Sequence, residues 1–373
     1  MQYIKFPKLN VKVSRFGMGC MRLPKKKNSS GKSIIDEVES IKMIQYAVEN
    51  GVNYFDTAYV YKGSEAILGK AFNGGLREKV FIATKSPVSI IKKPEDFDIY
   101  LDEGLKRLQT EYIDFYLLHG LDKNSWKKVK KLKLLDKLDI AKKEGKIIYR
   151  AFSFHDDLKL FKEIIDSYSW DMCQIQLNFM GEYYQAGVEG LKYAASKGIG
   201  VVIMEPLFGG LLGENVQWDN LGIKRTPAEW AFRWLANFQE ATVTLSGVST
   251  MKQLEEDIKI FNKAFPNSMT ENEAQTFEEV KKLYERKIKV KCTGCSYCMP
   301  CPSGVNIPGA FWHYNRAFMG DPEVWKESYK SFFCNNKMDA SQCNECGQCE
   351  KACPQHITVI DKLEEAHKYL MSE

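Results

Sequence analysis

Short apolar runs alternate with helical patterns eight times between about residue 10 and residue 250, which limits the fold more than any other feature of the chain. The candidate strands are Arg15–Gly19, Val52–Asp56, Val80–Thr84, Ile113–Leu118, Ile147–Ser153, Met172–Leu177, Gly200–Met204 and Ala241–Leu245. Between them, stretches such as Ser40–Glu49, Asp96–Leu108, Leu135–Glu144, Leu158–Asp166, Glu189–Lys197 and Pro227–Asn237 carry apolar residues at three- and four-residue steps. Gly51, Gly145 and Gly198 each end a helical run and precede a strand, as helix-terminating glycines do. Thr226 suits the N-cap of the last of these helices, with Pro227 in its first turn. Eight such units over ~250 residues is the period of a (β/α)8 TIM barrel. The alternative is an open doubly wound sheet. Its glycine fingerprint is incomplete here, because Gly17-Met18-Gly19-Cys20-Met21-Arg22 lacks the third glycine and runs on to Pro24.

Composition narrows the class. The chain has 373 residues, 44% hydrophobic and 27% charged, enough to bury a full core. The formal charge of +5 is too small a surplus to support nucleic-acid binding. No apolar run reaches the ~18 residues of a membrane helix. The start, Met1 to Lys8, lacks the apolar centre of a signal peptide. The expectation is a soluble, cytoplasmic protein with no nucleic-acid or membrane partner. Two segments stand outside the barrel pattern. Lys25–Ser33 is polar and basic and is expected to be an exposed loop. Lys127–Lys133, with five lysines in seven positions, fits a solvated helix face better than a docking patch for an acidic partner.

Functional side chains of such a barrel lie where its strands end. The second candidate strand ends at Asp56, with Tyr61 in the loop beyond it. The third ends at Thr84-Lys85 and the fourth at Leu118-His119. Any one of these has a structural explanation; the ordered set is harder to dismiss. Asp56, Tyr61, Lys85 and His119, with the words Asp56-Thr57-Ala58, Ser64-Glu65 and Leu118-His119, resemble the tetrad and motifs of the aldo-keto reductases over roughly residues 10–260. The resemblance implies an NAD(P)H-dependent oxidoreductase that reduces a small-molecule carbonyl. Tyr61 would be the general acid, Lys85 the charge that lowers its pKa, Asp56 the anchor of Lys85, and His119 the donor that orients the carbonyl.

The same resemblance implies a nicotinamide dinucleotide across the barrel mouth. Ser153 falls where the family places a serine near the carboxamide, and Gln174 and Asn178 match its cofactor-contacting Gln and Asn. The seventh strand ends in Met204-Glu205-Pro206-Leu207. Met204 stands where much of the family stacks an aromatic residue on the nicotinamide, and Leu207 follows in the same loop. After the eighth strand, Gly247, Ser249, Gln253 and Asp257 fall in the family's adenosine-gripping segment, with Asp257 replacing an Asn. Gly247 and Ser249 precede a helix that begins near Met251, which suits phosphate binding; a serine N-cap explains Ser249 equally well. Lys252 is the obvious nearby cation for a 2′-phosphate, which tilts the expectation to NADPH over NADH.

Nine of the eleven cysteines lie between Cys292 and Cys353. Without a secreted context, metal or redox chemistry is a better reading than a disulfide framework. Cys343-x2-Cys346-x2-Cys349-x3-Cys353-Pro354 is the bacterial ferredoxin run in full. Cys292-x2-Cys295-x2-Cys298-x2-Cys301-Pro302 is one residue short before its last cysteine. A structural zinc site is the simpler alternative, since it also uses C-x2-C spacing. If ligands exchange as in two-cluster ferredoxins, Cys292, Cys295, Cys298 and Cys353 hold one 4Fe–4S cluster and Cys343, Cys346, Cys349 and Cys301 the other. If the short run holds none, a single cluster remains. Phe311–Phe318 and Pro322–Phe332 are expected helices, so this part resembles the mainly helical type of ferredoxin-like domain. The expected division is a barrel over residues 1–286 and a cluster domain over 287–373. The whole then resembles a ferredoxin-tailed branch of the aldo-keto reductases, suited to an oxygen-poor cytoplasm and a redox protein partner. Two further functions compete with a carbonyl reductase. One is an electron-transfer module whose barrel only binds a cofactor or partner. The other is a redox sensor with a vestigial barrel, which the intact tetrad argues against.

Overall fold

The computed structural model describes residues 1–213 and 225–372. Among them, eight parallel strands close a barrel in consecutive order. They are β1 (Phe16–Gly19), β2 (Tyr54–Asp56), β3 (Phe81–Ser86) and β4 (Ile113–Leu121). The circuit continues with β5 (Ile147–Phe154), β6 (Met172–Gln176), β7 (Gly200–Met204) and β8 (Ala241–Ser246). Every expected strand is present, with small shifts at its ends. Helices such as Glu37–Glu49, Glu95–Leu108 and Leu158–Ser167 return the chain between strands.

The barrel centre is filled, not open. Tyr54, Phe115, Leu117, Met172, Val202 and Val243 meet there, and Phe6 joins them from the amino-terminal hairpin of Tyr3–Lys5 and Lys12–Ser14. Phe6 is fully buried and stacks on Phe115 with ring centres 5.0 Å apart. Gly200, at the start of β7, makes room for it: a Cβ there would lie 1.8 Å from the Phe6 ring. Phe6 thus plugs the end where strands begin, and chemistry is left to the end where they finish.

The two basic segments resolve differently. Lys25–Lys27 and Ser33–Ile35 form an exposed antiparallel hairpin where the sequence suggested a loop. The turn is local chemistry that strand periodicity does not register: Asn28 Oδ1 accepts from Ser30 N and Lys32 N, and Gly31 takes φ +76°. The lysine run lies mostly on helix Lys123–Lys131, capped by Asp122, which buries Trp126 and Val129 and leaves Lys127 and Lys131 in solvent. That is the solvated face the sequence favoured.

By its internal contacts the chain forms two compact units. The first is Met1–Leu177, Gly181–Pro206 and Phe232–Ser268, and contains the barrel. The second is Asn178–Met180, Leu207–Ala231 and Met269–Glu373, as far as these are described. In it, helices Ile307–Met319, Pro322–Ser328 and Val359–Met371 enclose a core that includes Val305, Phe311, Tyr329, Phe333, Leu363 and Leu370. Helix Glu271–Lys287 opens with a reciprocal capping box between Thr270 and Glu273.

Candidate functional site

Strand register brings the predicted tetrad together at the barrel's carboxyl end. Gly19 pairs with Asp56, Asp56 with Ala83, and Lys85 with Leu117, so Lys85 stands two residues beyond the level of Asp56, and His119 two beyond the level of Lys85. Lys85 Nζ lies 2.6 Å from Asp56 Oδ1 and donates to the Thr57 carbonyl at 2.7 Å. Gln174 Nε2 donates to the other Asp56 oxygen at 2.9 Å. The Lys85 side chain is 1% exposed. Its ammonium sits 5.2 Å from the centre of the Tyr61 ring, and that ring meets His119 edge to face at 6.0 Å.

The electrostatics follow from burial. Burial works against both charges of the ion pair, lowering Lys85 and raising Asp56, while their mutual attraction opposes it. His119 is held well below the usual imidazole value, first by burial, then by the Lys85 charge and by His155. It is therefore a neutral ring at neutral pH, able to donate one N–H.

The Tyr61 loop is held by the residues beside it. Thr57 Oγ1 donates to Ser64 Oγ at 2.7 Å, and Ser64 Oγ donates to the Cys20 carbonyl at 2.9 Å. Glu65, 2% exposed, accepts from Thr84 Oγ1 at 2.7 Å and pairs with Arg107 at 3.2 Å. The Ser64-Glu65 motif thus ties the Tyr61 turn to the strand that carries Lys85.

Ser153 and Gln174 lie opposite each other on β5 and β6. Ser153 Oγ accepts from Gly120 N at 2.7 Å, which pins the chain just after His119. Gln174 Oε1 is buried with no hydrogen-bond partner among the described residues. Met204, half-buried, ends β7. Asn178 and Leu207 belong to the second compact unit: Asn178 Oδ1 accepts from Met180 N at 3.1 Å, and the Leu207 carbonyl from Gly210 N at 2.8 Å.

After β8, Gly247 and Ser249 are exposed. Ser249 is not the helix cap; Thr250 is, accepting from Gln253 N ahead of helix Met251–Phe261. Ser249 N instead donates to Gln253 Oε1 at 2.9 Å, and Ser249 Oγ to the Arg22 carbonyl at 2.8 Å. Asp257 is 4% exposed, and burial pushes its carboxyl up to about 7 against a hydrogen bond from Ser246. Sequence reasoning missed two residues. Arg22 follows β1, and its Cβ and Cδ lie 3.9 and 4.0 Å from where a Gly247 Cβ would be. His155 follows β5 and bears on His119. No sequence signal marks either, because each is a neighbour across strands.

The cysteines of the two runs line two cavities. Among the described residues, one cavity is lined by Cys292, Cys295, Cys298 and Cys353. Another is lined by Cys301, Cys343, Cys346 and Cys349, and also touches Cys298. The two loops share a backbone pattern. Left-handed residues stand two and four places after the first cysteine in each run, at Gly294 and Ser296 and at Glu345 and Gly347. They recur three places after the last cysteine, at Gly304 and His356. The extra residue of the second run is taken up by the short helix Gln348–Ala352. Glu345 N donates to Cys343 Sγ at 3.4 Å. Burial, and then Cys292, Cys295 and Cys353, push the Cys298 thiol up to about 12, a thiol that a bound metal would deprotonate. No helix among the described residues is long and apolar enough to cross a membrane.

Known proteins bear on both parts. A model of the Aldo/keto reductase family matches residues 15–278, and a 4Fe-4S dicluster domain model matches residues 291–358. A probable aldo-keto reductase 1 of Glycine max is 28% identical over 301 residues, 69% of this chain and 83% of that protein. An uncharacterized oxidoreductase of Bacillus subtilis, YrpG, is 29% identical over 254 residues, 60% of this chain and 72% of its own length. In fold, the holo form of aldo-keto reductase AKR11C1 from Bacillus halodurans superposes with a TM-score of 0.61 at 23% identity, covering 75% of this chain and 96% of that one.

Proposed function

Because the chain belongs to the aldo/keto reductase family and carries an iron–sulfur domain, we propose that this oxidoreductase reduces a small-molecule carbonyl with a nicotinamide dinucleotide. A nicotinamide dinucleotide, when bound, would supply the hydride for the carbonyl carbon. Tyr61 gives its phenolic proton to the carbonyl oxygen, the product is the alcohol, and solvent reprotonates Tyr61. The single observation that carries this reading is the buried Lys85 ammonium, clamped by Asp56 and Thr57 and facing the Tyr61 ring at 5.2 Å. A phenol of ordinary pKa, about 10, is a poor acid–base group at neutral pH, and a nearby positive charge favours the phenolate. Neutral His119 donates to the carbonyl oxygen and orients it.

The chain's own residues fit the dinucleotide. The unpartnered Gln174 Oε1 suits the carboxamide N–H groups, together with Ser153 and Asn178. Met204 would pack on the nicotinamide ring, with Leu207 in the loop that follows. Gly247, Ser249, Gln253 and Asp257 would hold the adenosine end. Arg22 and Lys252 supply the positive charge for a 2′-phosphate, which favours NADPH over NADH.

Two 4Fe–4S clusters fit the cysteines, one on Cys292, Cys295, Cys298 and Cys353, the other on Cys301, Cys343, Cys346 and Cys349. We assign residues 1–286 to the reductase and 287–373 to the cluster domain. Cys346 is exposed, so a redox protein partner would approach there. Tyr61→Phe tests the proposal. Carbonyl reduction should fall by ~10²–10⁴-fold with iron content unchanged; an unchanged rate overturns the role of Tyr61. If the protein instead passes electrons from NADPH to an acceptor equally well with Phe, the barrel serves an electron-transfer module.

A further inference from the structure

The loop after β7 belongs by its contacts to the unit that carries the cysteines. Residues 207–213 follow Met204 after only Glu205 and Pro206, yet they pack within the second unit. Phe208, Leu211 and Leu212 are buried, and the Leu212 carbonyl accepts from Tyr284 Oη at 3.3 Å. The tightest point is Gly209. Its φ is +72°, and a Cβ there would lie 2.3 Å from the carbonyl oxygen of Thr293. Thr293 is 2% exposed and sits between Cys292 and Cys295 in the wall of the first cysteine cavity. The segment after β6 is held in the same unit: Phe179 packs edge-on against Phe277 and Tyr284 at 4.8 and 5.6 Å. The two segments that carry Asn178 and Leu207 are therefore braced by the cysteine-bearing unit, and one of them abuts a cluster-ligand loop.

We propose that Thr293 and Gly209 are positioning residues that link the first cluster to the dinucleotide. This rests on the reading that Leu207 and its loop contact the nicotinamide cofactor. A change of redox state alters the charge held by the Cys292–Cys295 loop. That loop has no slack against Gly209, so the change bears on the cofactor loop. Linkage is reciprocal: if cluster state changes dinucleotide affinity by some factor, dinucleotide changes the cluster's reduction equilibrium by the same factor. Gly210 supplies the control. Its φ is +105°, and a Cβ there would meet nothing within 4 Å. Alanine at 210 therefore adds backbone strain alone, whereas alanine at 209 adds strain and a collision with the ligand loop.

The test is an anaerobic redox titration of the full-length, cluster-loaded protein with and without NADP⁺, followed by electron paramagnetic resonance. NADPH binding is measured in parallel by fluorescence, and Cys295→Ser identifies which signal is the first cluster. The expected result is a NADP⁺-dependent shift confined to that cluster, about 59 mV for tenfold coupling of a one-electron centre. Gly209→Ala should weaken NADPH at least tenfold and abolish the shift with iron content intact, while Gly210→Ala changes binding by less than about threefold. Wild type that binds NADPH with no shift overturns the inference and leaves the proposed function standing, as does Gly209→Ala behaving like Gly210→Ala. Wild type that binds neither NADPH nor NADH overturns the nicotinamide reading, and this inference with it.

Discussion

Lys85 and Asp56 form an ion pair at 2.6 Å with side chains only 1% and 7% exposed. A buried pair of this kind seldom adds much net stability, but removing one partner strands the other's charge. Lys85→Met should therefore cost ~3–5 kcal/mol, and the double variant Asp56→Asn/Lys85→Met should regain most of it. Gln174 can still bond the amide oxygen of the asparagine. Carbonyl reduction should be lost in the single and double variants alike. Denaturant midpoints measured beside turnover separate the two effects; a double variant no more stable than Lys85→Met would show that charge is not what the pair balances.

Asp257 is a buried carboxyl raised from its usual 3.8 to about 7. An acid whose folded pKa is raised binds its proton more tightly in the folded state. Its contribution is fully present below pH ~4 and is lost as pH rises towards 7. At pH 8 the folded protein must hold this carboxylate in an apolar setting, a penalty on the order of 2–4 kcal/mol. Asp257→Asn should thus raise the melting temperature at pH 8 and leave it nearly unchanged at pH 4. Equal effects at both pH values would rule out this ionisation as the cause.

Cys353 lines the cavity of the first run, and Cys301 that of the second. Cys353→Ser should lose the same cluster signal as Cys295→Ser, and Cys301→Ser the same signal as Cys346→Ser. Iron should fall from about eight per chain towards about four in each case. Cys334→Ser should keep the full count. Loss of one signal by Cys353→Ser and Cys346→Ser together would mean that each run serves its own cluster.

Arg22 stands beside Gly247 and accepts the Ser249 hydroxyl through its carbonyl. If its guanidinium meets a 2′-phosphate, Arg22→Ala should weaken NADPH by ~10–100-fold, the worth of a charge-assisted contact of ~1.5–3 kcal/mol. NADH should change by less than about twofold. Titrating both dinucleotides against both proteins decides it, and equal losses for the two would place Arg22 elsewhere than the phosphate.

The chain itself carries the periodic and the local information. Eight alternations announce the barrel because each strand and helix must bury a face, and burial writes a period into the residues. Asp56, Lys85 and His119 are legible because barrel chemistry sits at strand ends, and the ferredoxin run is legible because its loop closes within a few residues. What depends on strands and loops meeting across the fold is not written that way. Arg22 reaches Gly247 only because β1 and β8 are neighbours in a closed barrel. His155 bears on His119 only through the pairing of β4 and β5. The shortness of the first cysteine run looks like a defect in sequence. In the fold it is the absence of one short helix, with matching left-handed positions on either side. The contact of Gly209 with Thr293 joins residues 84 positions apart, and no period or motif spans such a distance. Sequence alone determined which elements form and which residues end them, since those follow from local burial and backbone chemistry. Tertiary structure alone decided which ends face one another, because that follows from packing between segments whose separation in the chain carries no signal.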